Sequence, residues 1–129
     1  MDNNGQTNKP EQTKNRRAVG TSYEALAARF LETAGYQILC RNFRTRHGEI
    51  DLIAFDQKEE ALVFVEVKYR KDGRYGMPAE AVGKRKQEQI LGAAERYLSQ
   101  TGLFASAVRF DVVEILGDKI RVIKNAFTA

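Results

Sequence analysis

Ala61-Leu62-Val63-Phe64-Val65-Glu66-Val67-Lys68-Tyr69 is the stretch on which the fold turns. Its run of branched and aromatic residues reads as a β-strand. Alternation places Leu62, Phe64, Glu66 and Lys68 on one face, with Val63, Val65, Val67 and Tyr69 on the other. Two further strands are expected before it, Tyr36–Phe43 and Ile50–Phe55, joined by the polar stretches Arg44–Gly48 and Asp56–Glu60. Upstream, Thr21 to Ala34 reads as a helix with Tyr23, Leu26, Ala27, Phe30, Leu31 and Ala34 in one stripe, stopped at Gly35. Downstream, a second helix runs from about Pro78 to Ser99, followed by strands Val108–Leu116 and Lys119–Ile123 around Gly117-Asp118. The order α-β-β-β-α-β-β implies an α/β fold, a mixed sheet flanked by helices, because the strand–helix–strand crossover packs its helix on the sheet.

The 129 residues, 43% apolar and 29% charged, suit one domain with a real core. A single cysteine, Cys40, excludes an intramolecular disulfide and a Cys-rich zinc site. It alternates with Tyr36 and Ile38 and reads as a small buried hydrophobe. No apolar run approaches the ~18 residues of a membrane span, and no signal-peptide core is visible, so the expectation is a soluble cytoplasmic domain without a membrane partner. Residues 1–19 are polar and read as a disordered basic tail, leaving 20–129 as the folded domain. The tail carries four Lys/Arg against two acids, half of the net +4. Any anion-binding surface must therefore come from where the charges sit.

Three charges interrupt the apolar faces. Asp51 shares a strand face with Ile53 and Phe55, and Glu66 and Lys68 share one with Leu62 and Phe64. A charge half-sunk in a sheet is costly unless it is paired or binds an ion. Asp56-Gln57-Lys58 repeats the acid-x-Lys spacing in a turn, where it means little; Glu66-Val67-Lys68 ends an apolar run and follows a strand bearing Asp51. The chemistry that suits this trio is metal-assisted phosphodiester hydrolysis. Asp51 and Glu66 offer hard oxygen ligands for Mg²⁺ or Mn²⁺, with the Val67 carbonyl as a further donor. Lys68 is placed to orient the attacking water or to stabilise the charge of the pentavalent state. Glu24 reads equally as a metal ligand and as the last member of a capping box, Thr21-Ser22-Tyr23-Glu24. Glu49, two residues before Asp51 on the same face, reads as a helper to the site or as a charge at the start of its strand, and the second reading is favoured.

These residues resemble a known family. Gly20-x-x-x-Glu24, Asn42, Gly48-Glu49-Ile50-Asp51-Leu52-Ile53-Ala54 and Phe64-Val65-Glu66-Val67-Lys68-x-Arg70 look like the YraN-type family of small bacterial proteins. That family is similar to archaeal Holliday-junction resolvases within the PD-(D/E)XK, restriction-endonuclease-like superfamily. The resemblance spans residues 18 to 125. It implies an αβββαβ core with an extra C-terminal strand and a Mg²⁺-dependent nuclease site. Asp51 stands at the motif's aspartate, Glu66 and Lys68 at its E-x-K, and Glu24 at the helix glutamate that joins the metal shell. Ile50 replaces the proline that names the superfamily. DNA, branched or otherwise structured, is the implied partner, and a homodimer is implied because junction cleavage needs two sites.

Basic residues bracket the acids: Arg44 and Arg46 before the second strand, Arg70, Lys71 and Arg74 after the third, and Lys84-Arg85-Lys86 early in the second helix. Cations at a helix N-terminus oppose its dipole, and a bound phosphate offsets that. This is the expected nucleic-acid surface. Tyr69 and Tyr75 are candidates for base stacking, although the strand position of Tyr69 favours core packing. Two other readings are a non-catalytic nucleic-acid-binding module and a protein-interaction adaptor. The four groups Glu24, Asp51, Glu66 and Lys68 together favour the enzyme, since a binding module has no use for acids facing phosphates.

Overall fold

Each strand reaches slightly further than its apolar core requires. The computed structural model describes residues 15–70, 82–103 and 107–127. Its elements are α1 (Asn15–Thr33), β1 (Tyr36–Arg44), β2 (Glu49–Asp56), β3 (Ala61–Arg70), α2 (Lys84–Thr101), β4 (Ala107–Leu116) and β5 (Lys119–Phe127). The strands form one mixed sheet in the order β1-β2-β3-β4-β5. Only β3 and β4, the pair joined across α2, run parallel. This is the αβββαβ core with an added C-terminal strand. Neither helix is long and apolar enough to cross a membrane.

The two helices cover opposite faces. Ala27, Ala28 and Leu31 of α1 pack on Leu52, Ala54, Val63, Val65 and Val113. Ile90, Ala93, Ala94 and Tyr97 of α2 pack on Ile50, Ile53, Leu62, Phe64, Phe110 and Val112. The alternation of β3 is therefore real, with valines toward α1 and Leu62 and Phe64 toward α2. Burying each such side chain contributes about 1.5–3 kcal/mol.

Both helices begin elsewhere than the sequence pattern implies. Helix α1 starts at Asn15 and not Thr21, so residues 15–19 of the expected tail are helical. Arg and Ala there are good helix formers, and a helix already nucleated on the sheet extends cheaply through them. The remainder of the expected tail, 1–14, lies outside the described residues. Helix α2 starts at Lys84 and not Pro78. Val82 is buried in the α2-side core, which pins the chain before the helix, and Gly83 is extended at its N-cap. The Gln87 side-chain amide donates to the Val82 carbonyl at 2.8 Å and braces this entrance.

Strand β1 breaks its own alternation. The β1–β2 register shifts between Ile38 and Cys40, leaving Leu39 as the extra residue of a bulge. Tyr36 and Ile38 face α1, whereas Cys40 turns to the α2 side and is only half-buried. The expected alternation of Cys40 with Ile38 is thus overturned by the bulge. Strand β5 continues to Phe127 because that ring is buried and stacks on Phe110 at 5.0 Å.

Candidate metal centre

Pairing of β2 with β3 runs from Asp56–Ala61 to Leu52–Val65 and goes no further. Beyond it β3 stays paired with β4 to Arg70, and β2 with β1 to Glu49. The strands part with Asp51 on one side of the opening and Glu66 on the other. Backbone groups released by such a parting need new partners. The Asp51 carboxylate supplies one: its Oδ2 accepts the Val67 N–H at 2.8 Å. Ile50 and Ile53 both face α2, so strict alternation also breaks at this point. Val67 therefore meets Asp51 through its N–H, on the same residue whose carbonyl was expected as a ligand.

Three carboxylates gather here. Glu24 from α1 and Glu49 and Asp51 from β2 each place an oxygen within 4.8 Å of the other two. The capping role of Glu24 is excluded, because Thr21 lies inside α1 and not at its N-cap. The Asn42 side chain lies beside Glu24 and opposes the rise of its carboxyl pKa. Asn42 has a positive φ of 55°, a conformation that Asn tolerates better than most residues. Glu49 is the acid that reads in the sequence as a strand-entry charge. Its signal was its place two residues from Asp51, on the same strand face.

Glu66 borders this trio from β3 and is 6% exposed. Its Oε2 lies 3.8 Å from Lys68 Nζ and 3.7 Å from Lys86 Nζ. Its Oε1 is buried and has no hydrogen-bond donor among the described residues. Burial first, then the Asp51 charge, pushes the Glu66 carboxyl up to about 7, with Lys86 and Lys68 opposing the rise. Burial raises the Asp51 carboxyl as well, with the Glu49 charge adding to it and the Val67 N–H and Lys86 opposing. Glu24 is raised by burial and by the Asp51 and Glu49 charges, against Asn42 and Arg41.

The arrangement fits a divalent ion. Opposite oxygens around Mg²⁺ stand about 4.2 Å apart, so the trio needs only a small closure to share one. Mutually repelling acids and an orphaned buried oxygen are what a cation would satisfy.

The expected nucleic-acid residues divide into several groups. Arg44 pairs across the strands with Glu49 at 3.6 Å, and so belongs to the acid cluster's own neutralisation. Arg70 is bound to the fully buried Glu114 at 3.2 Å, a structural pairing shared with Arg121. Lys86 turns to Glu66, while Lys84 is exposed at the start of α2. Arg46 and Arg85 line a polar groove of about 770 Å³ between the β1–β2 turn and α2, with His47, Arg96, Glu88 and Glu95. Lys71, Arg74 and Tyr75 lie outside the described residues. Tyr69 does not pack in the core: it is 41% exposed and stacks on Tyr23.

Fold and site together define a class: an αβββαβ domain carrying a carboxylate cluster where its second and third strands part. The chain belongs to the uncharacterised protein family UPF0102, the YraN-type family of the motifs, whose profile matches residues 23–115. It is 47% identical over 116 residues to a UPF0102 protein of Lachnoclostridium phytofermentans, covering 89% of this chain and 97% of that one. A Symbiobacterium thermophilum relative is 48% identical over 118 residues, covering 88% and 98% of the two chains. One from Burkholderia pseudomallei is 41% identical over 122 residues, covering 95% and 83%.

Proposed function

We propose that this domain is a metal-dependent endonuclease that hydrolyses phosphodiester bonds of DNA, with branched or structured DNA as its substrate. The observation that carries the reading is the opening between β2 and β3. There, Glu24, Glu49 and Asp51 converge beside a buried Glu66 with one unpartnered oxygen. Glu24, Glu49 and Asp51 would hold Mg²⁺ or Mn²⁺, with Glu66 closing the set. When bound, such an ion neutralises phosphate charge and acts as a Lewis acid. The Val67 N–H fixes the Asp51 carboxylate, so the ligand geometry is set before substrate arrives. Lys68 stands at the mouth of the opening, partly exposed, with its ammonium free to leave Glu66 for a phosphate oxygen. There it stabilises the negative charge that develops on the oxygens of the pentavalent phosphorus. Arg46, Lys84 and Arg85 contribute sequence-independent attraction for the backbone. A homodimer would supply the two sites that a junction cut requires.

The test is incubation of the pure protein with branched, flapped and linear DNA in Mg²⁺ or Mn²⁺. Cleavage is expected, with Asp51→Ala and Glu66→Ala each lowering the rate by about 100-fold or more. No cleavage, or cleavage undiminished in both variants, overturns the reading. Salt-dependent binding without cleavage points instead to a nucleic-acid-binding module.

A further inference from the structure

We propose that the stacked pair Tyr23–Tyr69 is a platform for an unpaired nucleobase beside the acid cluster, so that the substrate is nucleic acid with a single-stranded or splayed segment. The inference rests on reading the domain as one that acts on a nucleic acid, and it narrows which kind. The two rings lie almost parallel, with centroids 4.1 Å apart and planes 14° from each other. Tyr23 directly precedes Glu24 on α1, so the pair stands beside the candidate site.

Three observations set this pair apart from ordinary packing. Tyr69 sits on the central strand of the sheet, where Val63 and Val65 on the same face are fully buried, yet it is 41% exposed. The Tyr69 hydroxyl lies close enough to that of Tyr23 to raise its pKa, so the polar ends of the two rings stand together. A cation stands on the Tyr23 flank, where Arg41 acts on the neighbouring Glu24. An aromatic ring with one face already stacked presents its other face to a further ring, and every base has a π-face to offer. A base inside a duplex has both faces covered by its neighbours and cannot use such a ring. An unpaired base can, and stacking it there brings its flanking phosphates toward Lys68 and the carboxylates.

The test uses the full-length protein in chelator, so that binding is read without cleavage. The probes are a labelled oligothymidylate and a loop-free, fully paired two-strand duplex of similar charge. Tyr69→Leu, which keeps apolar bulk and removes the π-face, is expected to weaken oligothymidylate binding about tenfold and to leave duplex binding unchanged. Tyr69→Phe should bind like the wild type, and the indole fluorescence of Tyr69→Trp should be quenched by oligothymidylate alone. Equal binding by the wild type and Tyr69→Leu, equal loss on both probes, or an unquenched Tyr69→Trp overturns the proposal. If Tyr69→Leu does not fold, Tyr69→Trp decides. Stacking-dependent binding without cleavage in Mg²⁺ would sink the nuclease reading alone. Cleavage indifferent to residue 69 would sink the platform alone.

Discussion

Glu66 holds its charge where the protein least favours it. Buried at the end of an apolar run, it faces the Asp51 carboxylate and has one oxygen without a donor. Its carboxyl lies at about 7 against a usual value of 4.5, so the folded state keeps a proton that the unfolded chain releases. The sign follows from that difference in bound protons. The contribution to stability is full below about pH 4.5 and is lost as pH rises through about 7. In chelator, unfolding free energy should fall across that window by on the order of 3 kcal/mol. Glu66→Gln, which carries no proton to lose, should flatten the curve relative to the wild type and be the more stable protein at pH 8. Urea midpoints at pH 5 and pH 8 measure this directly. A wild-type slope that persists unchanged in Glu66→Gln would show that the burden lies elsewhere.

The elements matter because the acids are aimed by a turn, and that turn is clamped to a helix. Thr45 closes it, with its N–H donating to the Gly48 carbonyl at 2.8 Å and its hydroxyl accepting the His47 and Gly48 N–H groups. Gly48 then lies so near α2 that a Cβ there would sit 2.8 Å from Gln89 Cβ and 2.9 Å from the Gln89 carbonyl oxygen. A helix backbone does not yield as a flexible side-chain tip would, so Gly48→Ala should cost about 1–3 kcal/mol. It should also shift Glu49 and Asp51, lowering divalent-ion affinity more than a surface substitution of equal destabilisation does. Thermal unfolding and Mn²⁺ titration by calorimetry check the two effects, and a variant with wild-type stability refutes the clamp. This contact explains what could be read beforehand. The order and type of the elements followed from alternation and from punctuation at Gly35 and Gly117, because those signals are local. The bulge at Leu39, the pinning of Val82 and the approach of Gly48 to Gln89 depend on segments distant in sequence. No periodicity records them.

Across the whole molecule, the sheet carries a cluster of buried charge at each end of β2, and the two behave in opposite ways. At the Asp56 end, Arg109 binds Asp56 at 3.1 Å, Glu59 at 2.7 Å, Asp111 at 2.9 Å and the Tyr36 hydroxyl at 2.7 Å. Burial alone would raise the Asp56 carboxyl, but the Glu59 N–H, Arg109 and Lys124 more than offset it and hold it below its usual value. At the Asp51 end, cations approach Glu49 and Glu66 only at 3.6 to 3.8 Å, and Glu24, Asp51 and Glu66 are raised. In the sequence, Arg109, Asp111 and Glu114 interrupt β4 much as Asp51 and Glu66 interrupt β2 and β3. A broken pattern therefore marked buried charge without separating a fastening from a site; the closeness of the opposite charges, 2.7 to 3.1 Å around Arg109 against 3.6 to 3.8 Å at Glu49 and Glu66, separates them. That looser pairing makes the whole fold report on metal. If the Asp51 end is a cation site, then Mn²⁺ or Mg²⁺ at about 100 times its dissociation constant should stabilise the protein by about 2.7 kcal/mol. Asp51→Asn removes a ligand and also relieves the repulsion. It should melt higher than the wild type in chelator and gain little on adding the ion, so the two melting curves cross as metal is titrated in. An Asp51→Asn protein that melts below the wild type in chelator would mean that the Val67 bond outweighs the repulsion. A metal-induced shift equal in both proteins would place the ion away from Asp51.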